Sequence, residues 1–209
     1  GNEPTAKDAP AAYVIPKDIK PEYLAGGGAT GGYNRFWIDP GNNYANVKGT
    51  WRTSWIVEPA NGQVPGKPGA NVDRSPNLGT GYDNPEERNL NERCIILNTS
   101  GPPIGNYLYN NNLRIVQSPN HVVIESEMIH DTRIIPLEGR APVSQAVRQH
   151  MGIPRGHWEG DTLVVETANF NGTIGVTGNG RLMPTSDALK MVERFTRTSA
   201  DTIQYEATV

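Results

Sequence analysis

His121-Val-Val-Ile-Glu-Ser-Glu-Met-Ile-His-Asp-Thr-Arg-Ile-Ile135 is the stretch whose reading decides the fold. It is rich in β-branched residues, and its apolar side chains alternate with polar ones, as on a half-buried strand. Val122, Ile124, Ser126, Met128, His130, Thr132 and Ile134 take one face. Val123, Glu125, Glu127, Ile129, Asp131 and Arg133 take the other. Read as one strand, the run sets His130 on a mostly apolar face and the charges on the opposite one. So long a strand tends to bend or bulge, and a bulge exchanges the two faces.

Working outward, Ser118-Pro-Asn120 is a turn, so residues 113–117 pair with the run as an antiparallel hairpin. A second hairpin spans His157 to Phe170 and turns at Gly160-Asp161, with Leu163, Val165 and Thr167 on one face. A third joins Leu189–Arg197 to Thr202–Val209 around Ser199-Ala200-Asp201. Val143 to Met151 has helical spacing, and Asp83-Asn-Pro-Glu-Glu87 reads as a helix start. Tyr33–Ile38 and Trp51–Val57 read as strands; residues 60–82 and 171–188 read as Gly-rich loops. The expected fold is all-β: an antiparallel meander forming a closed or partly open lipocalin-like β-barrel. It carries long Gly/Pro-rich loops and one or two short helices. A twisted open sheet or sandwich is the alternative.

Residues 1–32 hold Pro4, Pro10, Pro16, Pro21 and two glycine clusters, which suit an extended arm rather than a helix or central strand. Residues 33–209 then form one domain. The chain has 209 residues and a net charge of -3 without a basic block, which argues against a nucleic-acid partner. No apolar run is long enough to span a membrane. The single cysteine, Cys94, reads as a buried small hydrophobe, with Arg93 beside it as weak support for a reactive thiol.

Several motifs carry a resemblance. They are Arg52-Thr-Ser-Trp-Ile-Val-Glu-Pro59, Glu92-Arg-Cys94, Tyr109-Asn-Asn111 with Ile115-Val-Gln117, Glu127-Met-Ile-His-Asp131, Gly156-His-Trp-Glu-Gly-Asp-Thr-Leu-Val-Val165 and Val192-Glu-Arg-Phe-Thr-Arg197. In this order, over roughly residues 30–209, the chain resembles an uncharacterised family of secreted bacterial proteins. The resemblance implies a periplasmic or extracellular location and brings no activity with it. It also implies a C-terminal tail beyond Val209 with another cysteine, a candidate disulfide partner for Cys94.

Chemistry has three candidate places. Glu127, His130, Asp131 and Arg133 offer an imidazole for general acid–base work, a carboxylate to orient it and a guanidinium to hold an anion. Of these, His130, Glu127 and Arg133 are the candidate catalytic residues. Cross-strand salt bridging on a solvated face and a core histidine are the plainer readings. His150, Arg155, His157, Glu159 and Asp161 form a second group at a loop rim, where Arg155 and His157 can reach a ligand and Asp161 serves the turn. Tyr109 and Asn111, with their neighbours, are a third, offering an aromatic face and amide donors; core aromatics and turn asparagines are the alternative. His130, His150, His157 and Glu127 could compose a metal site, but no ligand spacing supports it, so none is expected. No nucleotide fingerprint or nucleophile elbow is present, and no cofactor is expected.

These observations lead to a domain that binds a small organic ligand in its interior, with a cofactor-free acid/base enzyme as its sharper form. The alternative is a structural subunit of an extracellular filament, self-associating through the N-terminal arm and open strand edges.

Overall fold

The computed structural model describes residues 44–47, 49–67, 82–88, 90, 92–96, 101–105, 109–137, 141–178 and 181–209. The expected arm, residues 1–32, and the expected strand Tyr33–Ile38 lie outside the described residues. The chain divides into two compact units. Of the described residues, the first unit holds 44–65 and 109–110. Its regular structure is a short antiparallel hairpin, β1 (Ala45–Val47) and β2 (Thr50–Arg52), with Gly49 at φ +85 in the turn. The expected strand Trp51–Val57 is thus only partly formed: bends replace it from Thr53 onward.

The second unit carries the rest. A three-stranded antiparallel sheet has the order β3 (Leu113–Gln117), β4 (His121–Ser126), β5 (Thr132–Pro136). A four-stranded antiparallel sheet has the order β11-β10-β7-β6. It is built from β6 (Ile153–Glu159), β7 (Thr162–Ala168), β10 (Met191–Arg197) and β11 (Ile203–Thr208). A small hairpin, β8 (Gly175–Gly178) and β9 (Arg181–Pro184), lies within the expected 171–188 loop. The all-β antiparallel reading therefore holds.

The closed barrel does not form. The two sheets meet edge to edge only at one parallel bridge, Leu137 to Gly156. Among the described residues, β3 and β11 each pair with a single neighbour, so both remain edges. A barrel requires an unbroken ladder all the way round. Here fifteen or so residues intervene between β5 and β6, far more than a hairpin turn needs. The expected helices are also missing. Among the described residues of 83–94 there is only a 3₁₀ turn at Pro85–Glu87, whose first-turn acid Glu87 accepts hydrogen bonds from Asp83 N and Asn84 Nδ2. Residues 143–151 form no helix, and Val143 and Val147 are exposed.

Alternation builds the core. Val122 and Ile124 of β4, Ile135 of β5, Leu163 and Val165 of β7 and Phe195 of β10 pack together between the sheets. These side chains fill the space between the two sheets. Gly156 permits the close approach of the sheets, since a Cβ there would sit 2.8 Å from Ile135 Cγ2. A second cluster, Leu90, Ile96, Phe170, Ile174 and Met191, fastens the 90–96 segment to the body. Cys94, expected to be buried, is exposed, with φ +53.

One polar connection crosses the layer. Arg133 of β5 donates from Nη1 to Glu193 Oε2 at 2.6 Å and from Nη2 to Glu193 Oε1 at 3.1 Å. Their side chains are 2% and 0% exposed. Tyr205 of β11 donates its hydroxyl to Glu193 Oε1 at 2.8 Å and accepts from Ile104 N at 2.8 Å. Burial, then the Glu193 carboxylate, pushes the Tyr205 phenol far above its ordinary range, so it stays a donor. Removing one partner of such a pair strands a buried charge, whereas replacing both with apolar residues does not. Glu193→Ala is therefore expected to cost roughly 3–5 kcal/mol, and Arg133→Met with Glu193→Leu to recover most of it. Urea denaturation of the parent and the two variants checks this; a loss below about 1 kcal/mol in Glu193→Ala is the value of an exposed pair and contradicts it.

Candidate functional site

The run that reads as one strand is a hairpin. β4 ends at Ser126, residues 127–130 turn, and β5 begins at Thr132. Ser126 N donates to Asp131 O at 2.8 Å and closes the loop. Ile129 and His130 both have φ +61, a conformation costly for any side chain and most of all for a β-branched one. The loop exchanges the faces. Ser126 stays buried with Val122 and Ile124, but beyond the turn Arg133 and Ile135 point inward and Ile134 is 61% exposed.

This decides the fate of the first group. Glu127 and His130 do come together, lining one shallow hollow of ≈ 250 Å³ with Asn112, Arg114, Glu125 and Ser126. Arg133 does not join them; it is spent on Glu193 across the core. Reading 121–135 as one strand put Arg133 on the face of Glu127, and the loop reverses that. His130, placed by the same reading on an apolar face, is instead an exposed turn residue.

Glu127 is held firmly. Its N–H donates to Asn112 O at 2.9 Å, and its Oε2 accepts from Asn112 N at 3.3 Å and from Asn112 Nδ2 at 2.8 Å. Among the described residues, Oε1 and the His130 ring have no hydrogen-bond partner. Arg114 lies 3.7 Å from Glu125 on the hollow's rim. The arrangement offers a ligand one oriented carboxylate oxygen, an imidazole and a nearby cation.

The second group is split. Arg155, His157 and Glu159 lie on the outer face of the four-stranded sheet. Arg155 is exposed and stands opposite Glu166. His157 Nε2 is 3.3 Å from Glu159 Oε1, and Arg194 Nη2 donates to Glu159 Oε2 at 2.5 Å. Arg194 first, then His157, holds the Glu159 carboxyl below the usual range. These contacts satisfy one another on a solvated face. Of the third group, Tyr109 belongs to the first unit, and Asn111 is exposed ahead of β3 and is not a wall of the hollow. Among the described residues, no three of His, Cys, Asp and Glu are placed to hold a metal.

His150 stands apart from its group. His150 Nδ1 lies 2.7 Å from Thr173 Oγ1 and 3.1 Å from Asn171 Nδ2, and Thr173 N donates to Asn171 Oδ1 at 3.1 Å. Burial, then the Arg93 charge, lowers the His150 pKa from 6.5.

A larger hollow, ≈ 550 Å³, opens at the other end of β3. It is lined by Gln117, Trp158, Gly160, Asp161 and Arg197, with the turn residues 198–200. Of these, Gly160, Asp161, Ser199 and Ala200 are legible in the sequence, as turn residues only. The signal for the others was parity: Trp158 lies two residues past the buried Gly156, and Arg197 two past Phe195, so both continue inner faces.

With this geometry in hand, comparison with protein-family models, curated proteins and solved structures finds no match.

The His150 arrangement has a pH consequence. The folded protein binds the His150 proton less readily than the unfolded chain, so this stabilisation is present above about pH 6.5 and is lost as pH falls through the lowered folded value. Urea midpoints at pH 7.5 and 5.5 are expected to differ more in the parent protein than in His150→Asn; equal differences would remove the assignment.

Proposed function

We propose that this chain is an extracytoplasmic bacterial β-domain that binds a small organic ligand at the hollow between β3 and the Glu127–His130 turn. The location and the bacterial origin rest on the resemblance of its motifs to secreted bacterial proteins. The observation that carries the binding reading is the pairing of a fixed carboxylate with a free imidazole. Asn112 orients Glu127 through Oε2, which leaves Oε1 to accept from a ligand hydroxyl or amine. His130 borders the same space in a left-handed backbone conformation, and among the described residues its ring makes no hydrogen bond.

The sharper form is a cofactor-free acid/base enzyme. In it, Glu127 accepts a proton from the bound ligand and His130 supplies one. Arg114, not Arg133, is the cation within reach of the same hollow. Titrating a library of small amines, hydroxy acids and polyols against the amide spectrum tests this. At least one compound is expected to shift Asn112, Glu127 and His130 together, with affinity falling roughly tenfold in Glu127→Gln or His130→Ala, as loss of one charge-assisted hydrogen bond implies. A library that leaves those amides unmoved counts against the site.

A second reading has its own observation. Both edge strands are apolar where they meet water: Ile115 and Val116 on β3, and Ile203 on β11, are 44%, 50% and 50% exposed. Val116, Val123 and Ile134 stand in register across three strands as one apolar row. Edges of this kind add strands from other chains, and a β3-to-β11 contact between copies would propagate as a filament. Light scattering and electron microscopy separate the readings. A discrete particle near 22.8 kDa is expected for the binding domain. Polymers that Val116→Lys disperses would make assembly the function.

A further inference from the structure

The larger hollow calls for a separate explanation, because a packed sandwich end has no need of its contents. Inner-facing positions fill the core until the strands run out: Gly156 then Trp158 on β6 and Phe195 then Arg197 on β10, with exposed Gln117 ending β3 beside them. Trp158 sits opposite the buried Leu163 in the ladder, yet is 41% exposed. An indole left half in water forgoes the burial that makes tryptophan useful in a core. Its exposed face is a wall of the hollow.

The other walls are planar and polar. Arg197 is fixed, donating from Nε to Ser199 O at 3.0 Å and from Nη2 to Ala200 O at 2.5 Å. Its orientation is set before any ligand arrives, so binding need not order it. Asp161 brings an opposing charge, and Gln117 a neutral amide with both donor and acceptor. At Gly160 the wall is bare: nothing lies within 4 Å of where a Cβ would stand. A volume of ≈ 550 Å³ suits a ligand of one to three rings.

We propose that this hollow is a saccharide-binding site, with Trp158 as the platform. A pyranose ring has an apolar face of axial C–H groups that stacks on an indole, and an edge of neighbouring hydroxyls. Such hydroxyl pairs match the paired donors and acceptors of amide, carboxylate and guanidinium. The balance of Arg197 against Asp161 disfavours a strongly anionic ligand and suits a neutral one. The open rim admits a chain passing through, rather than only a free monosaccharide. The site is at the opposite end of β3 from Glu127 and His130 and does not depend on that hollow.

The test uses the full chain with cellohexaose, xylohexaose, maltohexaose and chitohexaose, read by calorimetry and by the amide spectrum. At least one is expected to bind, shifting the Trp158 indole signal and the amides of residues 160–161 and 197–200. Trp158→Ala is expected to weaken binding roughly tenfold or more, as loss of a stacking platform implies, and Trp158→Phe to weaken it less. Gln117→Ala, an exposed residue whose loss leaves the core intact, should also weaken it, which keeps the test decisive if Trp158→Ala misfolds. The proposal is overturned if none of the four sugars binds, if Gln117→Ala and Trp158→Phe both bind as the parent does, or if the shifts map to Asn112 and His130 instead.

Discussion

Burying Arg133 against Glu193 commits the molecule to one relation between its sheets. An uncompensated charge in that position would cost several kcal/mol, so the two side chains must meet, and with them β5 and β10. The geometry satisfies nearly every demand. Both Glu193 oxygens accept from Arg133, and Tyr205 adds a third bond to Oε1. Of the side-chain polar atoms of Arg133 and Glu193, Arg133 Nε is buried without a partner among the described residues. Apolar packing of Val122, Ile124, Leu163 and Phe195 is tolerant of small slips, because contact between aliphatic groups is not directional. The bidentate pair is not tolerant, since a slip of one residue on either strand would turn one charge outward. Specificity of register is thus a consequence of the pair, while its net contribution to stability is the smaller effect.

The same pair explains why the 127–130 turn takes the form it does. Arg133 must face inward to reach Glu193, and in an unbroken strand from His121 it would face outward with Val123 and Glu125. Four residues in a loop correct the parity. Nothing in Glu127-Met-Ile-His130 favours the left-handed backbone that two of them adopt, so the cost is borne by contacts elsewhere: the Asn112–Glu127 bonds, the Ser126–Asp131 closure and the buried pair itself. The candidate site is a by-product of that arrangement. Glu127 is oriented because it anchors the turn, and His130 is displayed because the turn leaves it no inner face.

This also sets what could be read from sequence. The Gly160-Asp161 hairpin was legible because two-residue loops demand a residue that accepts positive φ, and Gly160 takes φ +58. The inward set Leu163, Val165 and Thr167 followed from simple alternation, and so did the β10–β11 turn from its polar tripeptide. The break at Glu127 is not legible, since no Gly, Pro or Asn marks it; it depends on Asn112, fifteen residues earlier, and on the pairing of Arg133 with Glu193, sixty residues apart. Glu127 and His130 could be proposed together because they are near neighbours in the chain. Arg133 was misassigned because its face depends on the unmarked loop. At 143–151 the spacing of Val143 and Val147 suggested a helix, but Arg148 bonds the carbonyls of Phe170 and Asp187, and Gln149 bridges to Phe170. These distant partners fix an irregular path. β8–β9 was missed although Asn179-Gly180 is a strong hairpin dipeptide, because a glycine-rich setting dilutes strand signals.

A two-layer β core that is filled from within can present chemistry in only three places: its outer faces, its edges and its two ends. The outer face of the four-stranded sheet is self-satisfied, with Glu159 shared between Arg194 and His157. The edges offer backbone groups and exposed aliphatic side chains, which suit another strand better than a small molecule. The ends differ, because there inner-facing positions outrun the core and need not be apolar. At one end the chain places Glu127 and His130, and at the other Trp158, Gln117 and Arg197. Ends are also where loops can vary without disturbing the Arg133–Glu193 register, which lies between them. Hollows at the ends and constraint at the middle are therefore the same fact about how this core is built: the pair that forbids slippage in the interior is what holds both hollows in fixed relation to the strands that form their walls.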